Sequence, residues 1–317
     1  MRKETNLATP GQRLPASRGA KLWKNVKKHY VLYLFVLPAI TWYILFCYLP
    51  MGGVYVAFTR YKGVGDILAA KPVGLKWFKS FFKSAFASTT IKNTLRLSLY
   101  SLLTFPLPVI VALMLNEIRN EKIKKISQTI MYAPHFVSLV VLVSMVQLFF
   151  STSGVVNIIS QKMGGAVTDY IGSNTAYPHL FVWSGVWTSL GWNTIIYTAA
   201  LAGVDPGLHE AATLDGATRL QRIRHINLPC IAPTIVITLI LRVGHIMSVS
   251  TEKSILMRND LNMAVSETVG TFVYNRGLIG GDFGYAAAVG LFLNVVNLIL
   301  LLTVNQISRK VSETSLF

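Results

Sequence analysis

The spacing of the charged residues limits what this chain can fold into more than any other feature. Six stretches run uncharged, or nearly so, for about the 20 residues that a helix needs to cross the hydrocarbon core of a bilayer. They are Tyr30–Pro50, Leu97–Leu115, a segment within Ile130–Phe150, a segment within Tyr177–Val204, the run from Pro233 to Ser250 broken by Arg242, and the run from Tyr285 to Ile307. Only 14% of the 317 residues are charged and 52% are hydrophobic, against about 25% charged in a soluble domain. A large soluble core would need six long helices with no polar face. A bilayer instead requires each stretch to satisfy its backbone internally, as a helix. The expectation is an all-α membrane protein with six transmembrane helices.

The charges in between set the organisation. Residues 1–28 form a basic segment holding Arg2, Lys3, Arg13, Arg18, Lys21, Lys24, Lys27 and Lys28 against one acid, Glu4. Its end, Gly19–His29, reads as a basic helix on an anionic membrane surface. Residues 29–308 are the six-helix transmembrane domain, and 309–317 a short tail. Six spans put both ends on one side. Lys and Arg are commoner in the segments that share that side with the N-terminus, including the cluster Arg119, Lys122, Lys124 and Lys125. The positive-inside bias therefore makes both termini cytoplasmic, although the basic 51–93 loop pulls the other way. The first span is too long for a signal-peptide core and reads as an uncleaved anchor.

Several classes are disfavoured. The net charge of +17 belongs to the flanks of membrane spans, and no soluble basic module is present for nucleic acid. The two cysteines, Cys47 and Cys230, lie far apart in this topology and predict neither a disulfide nor a metal site. An ion-coupled secondary transporter would want acids buried at mid-membrane, yet all 13 acidic residues fall outside the cores of the six stretches. No G-x-x-x-x-G-K-[ST] loop occurs, so any nucleotide site belongs to another chain.

The segment 205–229, between the fourth and fifth stretches, carries the strongest pattern. Asp205-Pro206 starts a helix, the carboxylate capping and the proline at the first turn. Leu208, Ala211 and Ala212 share a face. Asp215-Gly216 ends that helix. Thr218 and Gln221 form a capping box for a second short helix. Leu220, Ile223 and Ile226 are its apolar side, and Arg219, Arg222 and Arg224 its basic side. Pro229 is expected to stop it. Two short helices at an angle make a compact knob that can fill a groove on a partner.

These residues resemble the signature of the importer permeases of the ATP-binding-cassette class: Glu210-Ala211-Ala212, then Gly216, then Ile226, Leu228 and Pro229, with Asp215 and Ala217 extending the match. Tyr132-Ala133-Pro134-His135, the Asn116–Lys125 turn, Trp187 to Gly203 and the Ser312–Phe317 tail look like the oligosaccharide branch, which includes importers of alginate and other complex saccharides. Leu220 departs from it, relatives often carrying an aromatic there. The resemblance implies a type I importer permease fold in a bacterial plasma membrane. It implies a non-catalytic subunit with no cofactor of its own, ATP and magnesium being held by two cytoplasmic ATPase subunits. It implies a second permease, a paralogue in a heterodimer, and an extracytoplasmic solute-binding protein that delivers carbohydrate. By position, Glu210, Ala211, Ala212, Asp215, Gly216, Ile226, Leu228 and Pro229 would couple to the ATPase. The same class of importer for a non-sugar solute is the alternative.

Residues for the substrate path come from the spans. Arg242 is an ionisable group inside a span and a functional candidate for that reason. His245 follows it at i+3, and the pair suits an acidic saccharide; equally, Arg242 suits a backbone carbonyl in the bundle. In the fourth span Trp183 and Trp187 share a face, and Trp187, Trp192, Asn193 and Tyr197 offer rings and an amide to sugars, although tryptophans also anchor helices at the interface. Asn294, Asn297 and Asn305 in the sixth either line a polar path or bond between helices. The Glu252–Asp282 loop is expected to hold one short amphipathic helix near Val265–Tyr274.

Overall fold

The computed structural model describes residues 27–312; most of the basic segment expected over 1–28 and the end of the 309–317 tail lie outside them. Among the described residues the regular structure is all helical, apart from one isolated antiparallel bridge between Thr59 and Pro72. It divides into two compact units, Met1–Tyr55 and Val56–Phe317.

In the first unit, α1 (Tyr30–Tyr43) runs on through a π turn, Ile44–Tyr48, and a short α turn, Leu49–Met51. It is apolar on all sides, as suits a helix in lipid. Pro38 lies inside it.

The second unit holds the other spans. Helix α2 (Lys76–Lys83) is short and amphipathic and buries Phe81. Helix α3 (Ala85–Leu103) and α4 (Pro106–Asn116) form the second span. It starts well before the expected Leu97, because the helix continues past the apolar core through the exposed Lys92 and Arg96. The break at Thr104-Phe105 precedes Pro106, whose ring cannot continue an unbroken helix.

The third span departs most from expectation. The segment Ile130–Phe150 is not one helix. Helix α5 (Glu121–Tyr132) is capped by Asn120, whose Oδ1 accepts from the Lys122 amide at 2.9 Å. A 3-10 turn, Ala133–Phe136, follows around Pro134, and α6 (Leu139–Phe150) starts afresh on the Ser138 hydroxyl. Helix α7 (Val155–Lys162) extends it.

Helix α8 (Ala176–Ala202) is the fourth span, 27 residues long. Five other helical runs are long and apolar enough to cross a membrane: Tyr30–Phe58, Ala85–Asn116, Leu139–Lys162, Arg219–Gly244 and Phe283–Lys310. α8 is long enough but more polar, and its position explains why that is tolerated. Two buried apolar clusters are built on it. One joins Tyr177, Phe181 and Val182 to Leu97, Val143, Val146 and Met257. The other joins Tyr197 and Leu201 to Val109, Ala112, Leu113 and Ile231. Hydroxyls along it bond back to its own carbonyls, Ser189 to Gly185 at 2.7 Å and Thr194 to Leu190 at 2.7 Å, which satisfies these donors within the helix. At Gly191 a Cβ would lie 2.0 Å from the Met131 carbonyl oxygen, so only glycine lets α8 and α5 cross so closely.

A knob of two short helices, α9 (Pro206–Leu214) and α10 (Arg219–Arg222), joins α8 to α11 (Leu228–Gly244), the fifth span. The 250–282 connection folds as α12 (Thr251–Met257), α13 (Met263–Ser266) and α14 (Val269–Tyr274) before α15 (Phe283–Ser312), the sixth span. The single helix expected over Val265–Tyr274 is thus two pieces, parted at Glu267, which pairs with Arg258, and at Thr268, which caps α14. Asn93 of α3 ties this connection down, its amide donating to the carbonyls of Ala264 and Glu267, both at 2.9 Å. Cys47 and Cys230 are free thiols.

Candidate functional site

The 205–229 knob forms from its local sequence. Asp205 Oδ1 accepts from the Gly207 amide at 2.9 Å and opens α9. The helix closes with Gly216 at φ +73°, a left-handed conformation that costs a Cβ-bearing residue. The Gly216 amide reaches the Thr213 carbonyl at 3.1 Å and the Ala217 amide the Ala212 carbonyl at 2.8 Å, the paired bonds of a Schellman ending. Thr218 and Gln221 complete the expected capping box. Across the turn, Arg222 donates from Nη1 to the Thr213 hydroxyl at 2.8 Å. The two helices are therefore held at a fixed angle.

One expectation fails here. Pro229 does not stop the second helix. Arg219–Gly244 is a continuous helical run. A π turn, Ile223–Asn227, absorbs an extra residue, and Pro229 sits in the first turn of α11, where its missing N–H costs nothing. The second helix of the knob is thus the start of the fifth span's own helical run, and α9 is tied to it across the Gly216 turn by the Arg222–Thr213 bond. Asn227 in that π turn is fully buried, and neither polar atom of its amide has a hydrogen-bond partner among the described residues.

The knob presents an apolar surface to the outside. Leu208, Leu214 and Leu220 are 47%, 90% and 75% exposed. Glu210, Ala211, Asp215, Gly216, Leu228 and Pro229 are exposed as well, with Ala212 and Ile226 half-buried.

A cavity of about 400 Å³ lies between α3, α4, α8 and the end of α11. It brings together three of the residues expected on the substrate path, Arg242, His245 and Asn193, with the hydroxyls of Ser98, Ser101, Ser189, Ser248 and Ser250. His245 closes α11 one turn after Arg242, its amide donating to the Arg242 carbonyl at 3.3 Å. Both line the cavity. Arg242 Nη2 donates to Ser101 O at 3.1 Å and Ser101 Oγ at 2.9 Å, so it does join helices through a backbone carbonyl.

The remaining candidates are dispersed. Trp187 and Trp183 line a separate apolar groove with His179, Met145 and Phe149. Trp192 stacks on His135 at 4.3 Å and 6°, bracing α8 against the Pro134 turn. Tyr197 bonds Thr238 across to α11 at 2.8 Å. Asn297 accepts from the Met247 amide and donates to Ser248 Oγ, both at 3.0 Å, and so fixes the chain after α11. Asn294 is exposed and Asn305 buried. None of these lines the cavity.

One cavity residue was not expected. Lys253, on α12, is 5% exposed. Its Nζ donates to the Phe181 carbonyl at 2.6 Å and lies 4.8 Å from the centre of the Phe181 ring. Burial pushes its ammonium down from the ordinary lysine value to about 8. In the sequence Lys253 looks like a loop charge. The available signal was that Lys253, Ser254 and Met257 share one face of a short helix, and all three are buried.

Comparison with known proteins agrees with this architecture. Residues 104–313 match the family described as binding-protein-dependent transport system inner membrane component. Protein LplB of Bacillus subtilis is 38% identical, the match covering 96% of each chain. The polygalacturonan/rhamnogalacturonan transport system permease protein YteP of the same organism is also 38% identical, over 93% of this chain and 92% of the relative. A crystal structure of a bacterial alginate transporter, in complex with an alginate pentasaccharide-bound periplasmic protein, contains a chain that superposes with a TM-score of 0.86 at 37% identity, over 93% of this chain and 100% of that one. The apolar spans, the 205–229 knob and this similarity over nearly the whole length make the chain a member of the inner-membrane component family of binding-protein-dependent transport systems.

Proposed function

We propose that this chain is the permease of an ATP-driven carbohydrate importer and that its 205–229 knob is the coupling element. The observation that carries the reading is the knob's construction. It is braced, exposed and apolar at Leu208, Leu214 and Leu220, and its second helix continues as one helical run into the fifth span. A rigid protrusion filling a partner's groove transmits displacement without losing it in a joint. Closure of two cytoplasmic ATPase subunits on the knob would move α11 and, with it, the cavity wall at Arg242 and His245. ATP and magnesium stay on those subunits. Both termini are cytoplasmic in this reading, and a paralogous permease completes the path.

Carbohydrate as the cargo is supported by what similar proteins carry: polygalacturonan or rhamnogalacturonan for YteP, arabinooligosaccharides for AraP of Bacillus subtilis at 26% identity. The hydroxyl-lined cavity suits it. The test is purification of the assembled transporter in proteoliposomes. A sugar-loaded binding protein should stimulate ATP hydrolysis and drive sugar inward. Assembly without any ATPase subunit would remove the reading.

A further inference from the structure

We propose that α2 is an interfacial anchor for anionic phospholipid. Lys76, Lys79 and Lys83 hold lipid phosphates at the membrane face opposite the knob, while Leu75, Phe82 and Phe86 lie among the acyl chains. The proposal is independent of the cargo.

The charge of this region is the first observation. In the stretch 51–93, Arg60, Lys62, Lys71 and Lys92 join the three lysines of α2, against one acid, Asp66. All of these cations are exposed. The fifth span separates them from the knob. The chain leaves the knob through α11, turns over in the 250–282 connection and starts α15, against which α2 packs. The cations therefore gather on the side where the positive-inside bias thins them out. One acid cannot balance them, so the complementary charge comes from outside the chain.

The faces of α2 say what kind of partner brings it. Trp77 and Phe81 form an inner face. Phe81 is 1% exposed, its ring 6.5 Å from that of Tyr285 and 6.2 Å from that of Phe292. Trp77 Nε1 donates to the Thr59 carbonyl at 2.8 Å. These contacts also set the depth. Tyr285 and Phe292 lie in the first three turns of α15, so α2 sits where the hydrocarbon of the sixth span meets the headgroups. A second face is apolar and open: Leu75 and Phe82 are 58% and 55% exposed, and Phe86, in the first turn of α3, is 61% exposed. The third face is the lysine stripe, three residues within about 60° of arc. An apolar stripe flanked by lysines is the pattern of a helix lying in a membrane interface. The long lysine stems let the ammonium groups reach the phosphates while the helix stays lower.

A second protein is the other possible cover. Lysine is depleted from buried protein interfaces, yet here three lysines border the apolar stripe. A phospholipid meets both stripes at once, with its phosphate beside the ammonium groups and its chains against the rings.

The experiment places the assembled transporter in nanodiscs of phosphatidylcholine with a trace of photoactivatable phospholipid. The reactive diazirine sits near the headgroup of phosphatidylglycerol in one sample and of phosphatidylcholine in the other, and labelled peptides are mapped. Labelling of residues 75–86 by the phosphatidylglycerol probe should exceed that by the phosphatidylcholine probe about fivefold or more, the worth of one lysine at a charged surface. The excess should shrink in concentrated salt. A variant combining Lys76→Gln, Lys79→Gln and Lys83→Gln should lose it. The variant combining Lys76→Arg, Lys79→Arg and Lys83→Arg should keep it, which separates loss of charge from loss of folding. Equal labelling by the two probes, no labelling of 75–86, or an excess that survives in the glutamine variant overturns the proposal. A glutamine variant that binds the loaded binding protein more weakly, with its lipid labelling unchanged, assigns the lysines to a protein partner and overturns it too.

Discussion

Arg222 and Thr213 are joined by a 2.8 Å hydrogen bond that crosses the Gly216 turn and fixes α10 against α9. The bond links side chains that belong to different short helices, neither of which would be stable alone. Its consequence is mechanical: the knob moves as a unit. Arg222→Ala should leave the permease assembled but reduce the sugar moved per ATP hydrolysed several-fold. Measuring transport and hydrolysis on the same proteoliposomes checks this.

Asn227 leads to a second prediction. Its amide is buried in the π turn without a hydrogen-bond partner among the described residues, and an unsatisfied buried polar group costs about 1–3 kcal/mol. Asn227→Leu, of similar volume, should raise the thermal unfolding midpoint of the purified complex. It should also lower transport, since π turns in helices commonly mark sites where a helix must adjust. A variant that unfolds at a lower temperature than wild type would contradict the first part.

Much of this fold was legible in the sequence because its causes are local. Uncharged length marks the spans, the more polar α8 included, and Asp205, Gly216, Thr218 and Gln221 state the knob's caps outright. Where sequence reading failed, the cause was tertiary. Pro134 falls in the Ile130–Phe150 stretch expected to hold a span, yet the helix breaks there, since α5 and α6 find separate caps in Asn120 and Ser138. Pro229 was read as a stop, yet a π turn carries the helix past it. Trp187, Trp192, Tyr197 and Asn297 were legible as polar or aromatic residues within spans, but which of them faces a cavity depends on helix rotation, which no short-range pattern fixes. Lys253 was hidden for the same reason: only the folding of α12 against α8 buries it.

The Lys253 ammonium gives a pH dependence. Burial lowers it from 10.5 to about 8, so the group is charged below that value and neutral above it. The consequence is for stability, read from the pH dependence of the unfolding midpoint of the purified complex. Between about 8 and 10.5 the unfolded chain binds the extra proton, so this group's contribution to stability rises with pH across that window.

Asn93 should matter to stability rather than to transport selectivity. It alone supplies both bonds from α3 to the carbonyls of Ala264 and Glu267. Asn93→Ala removes both bonds of this buried amide and should destabilise by about 1–3 kcal/mol. A lowered unfolding midpoint, with unchanged preference between sugars in the material that remains folded, is the expected result.

The central claim is that the 205–229 knob converts a partner's ATP hydrolysis into movement of the fifth span. Gly216→Pro tests it most directly. Proline holds φ near about −65° and has no amide to give, whereas Gly216 needs φ +73° and donates to Thr213. Sugar uptake and ATP hydrolysis should be measured together in proteoliposomes carrying the complete transporter and its loaded binding protein. The account predicts that hydrolysis no longer drives uptake in the variant. Uptake per ATP equal to wild type would contradict it.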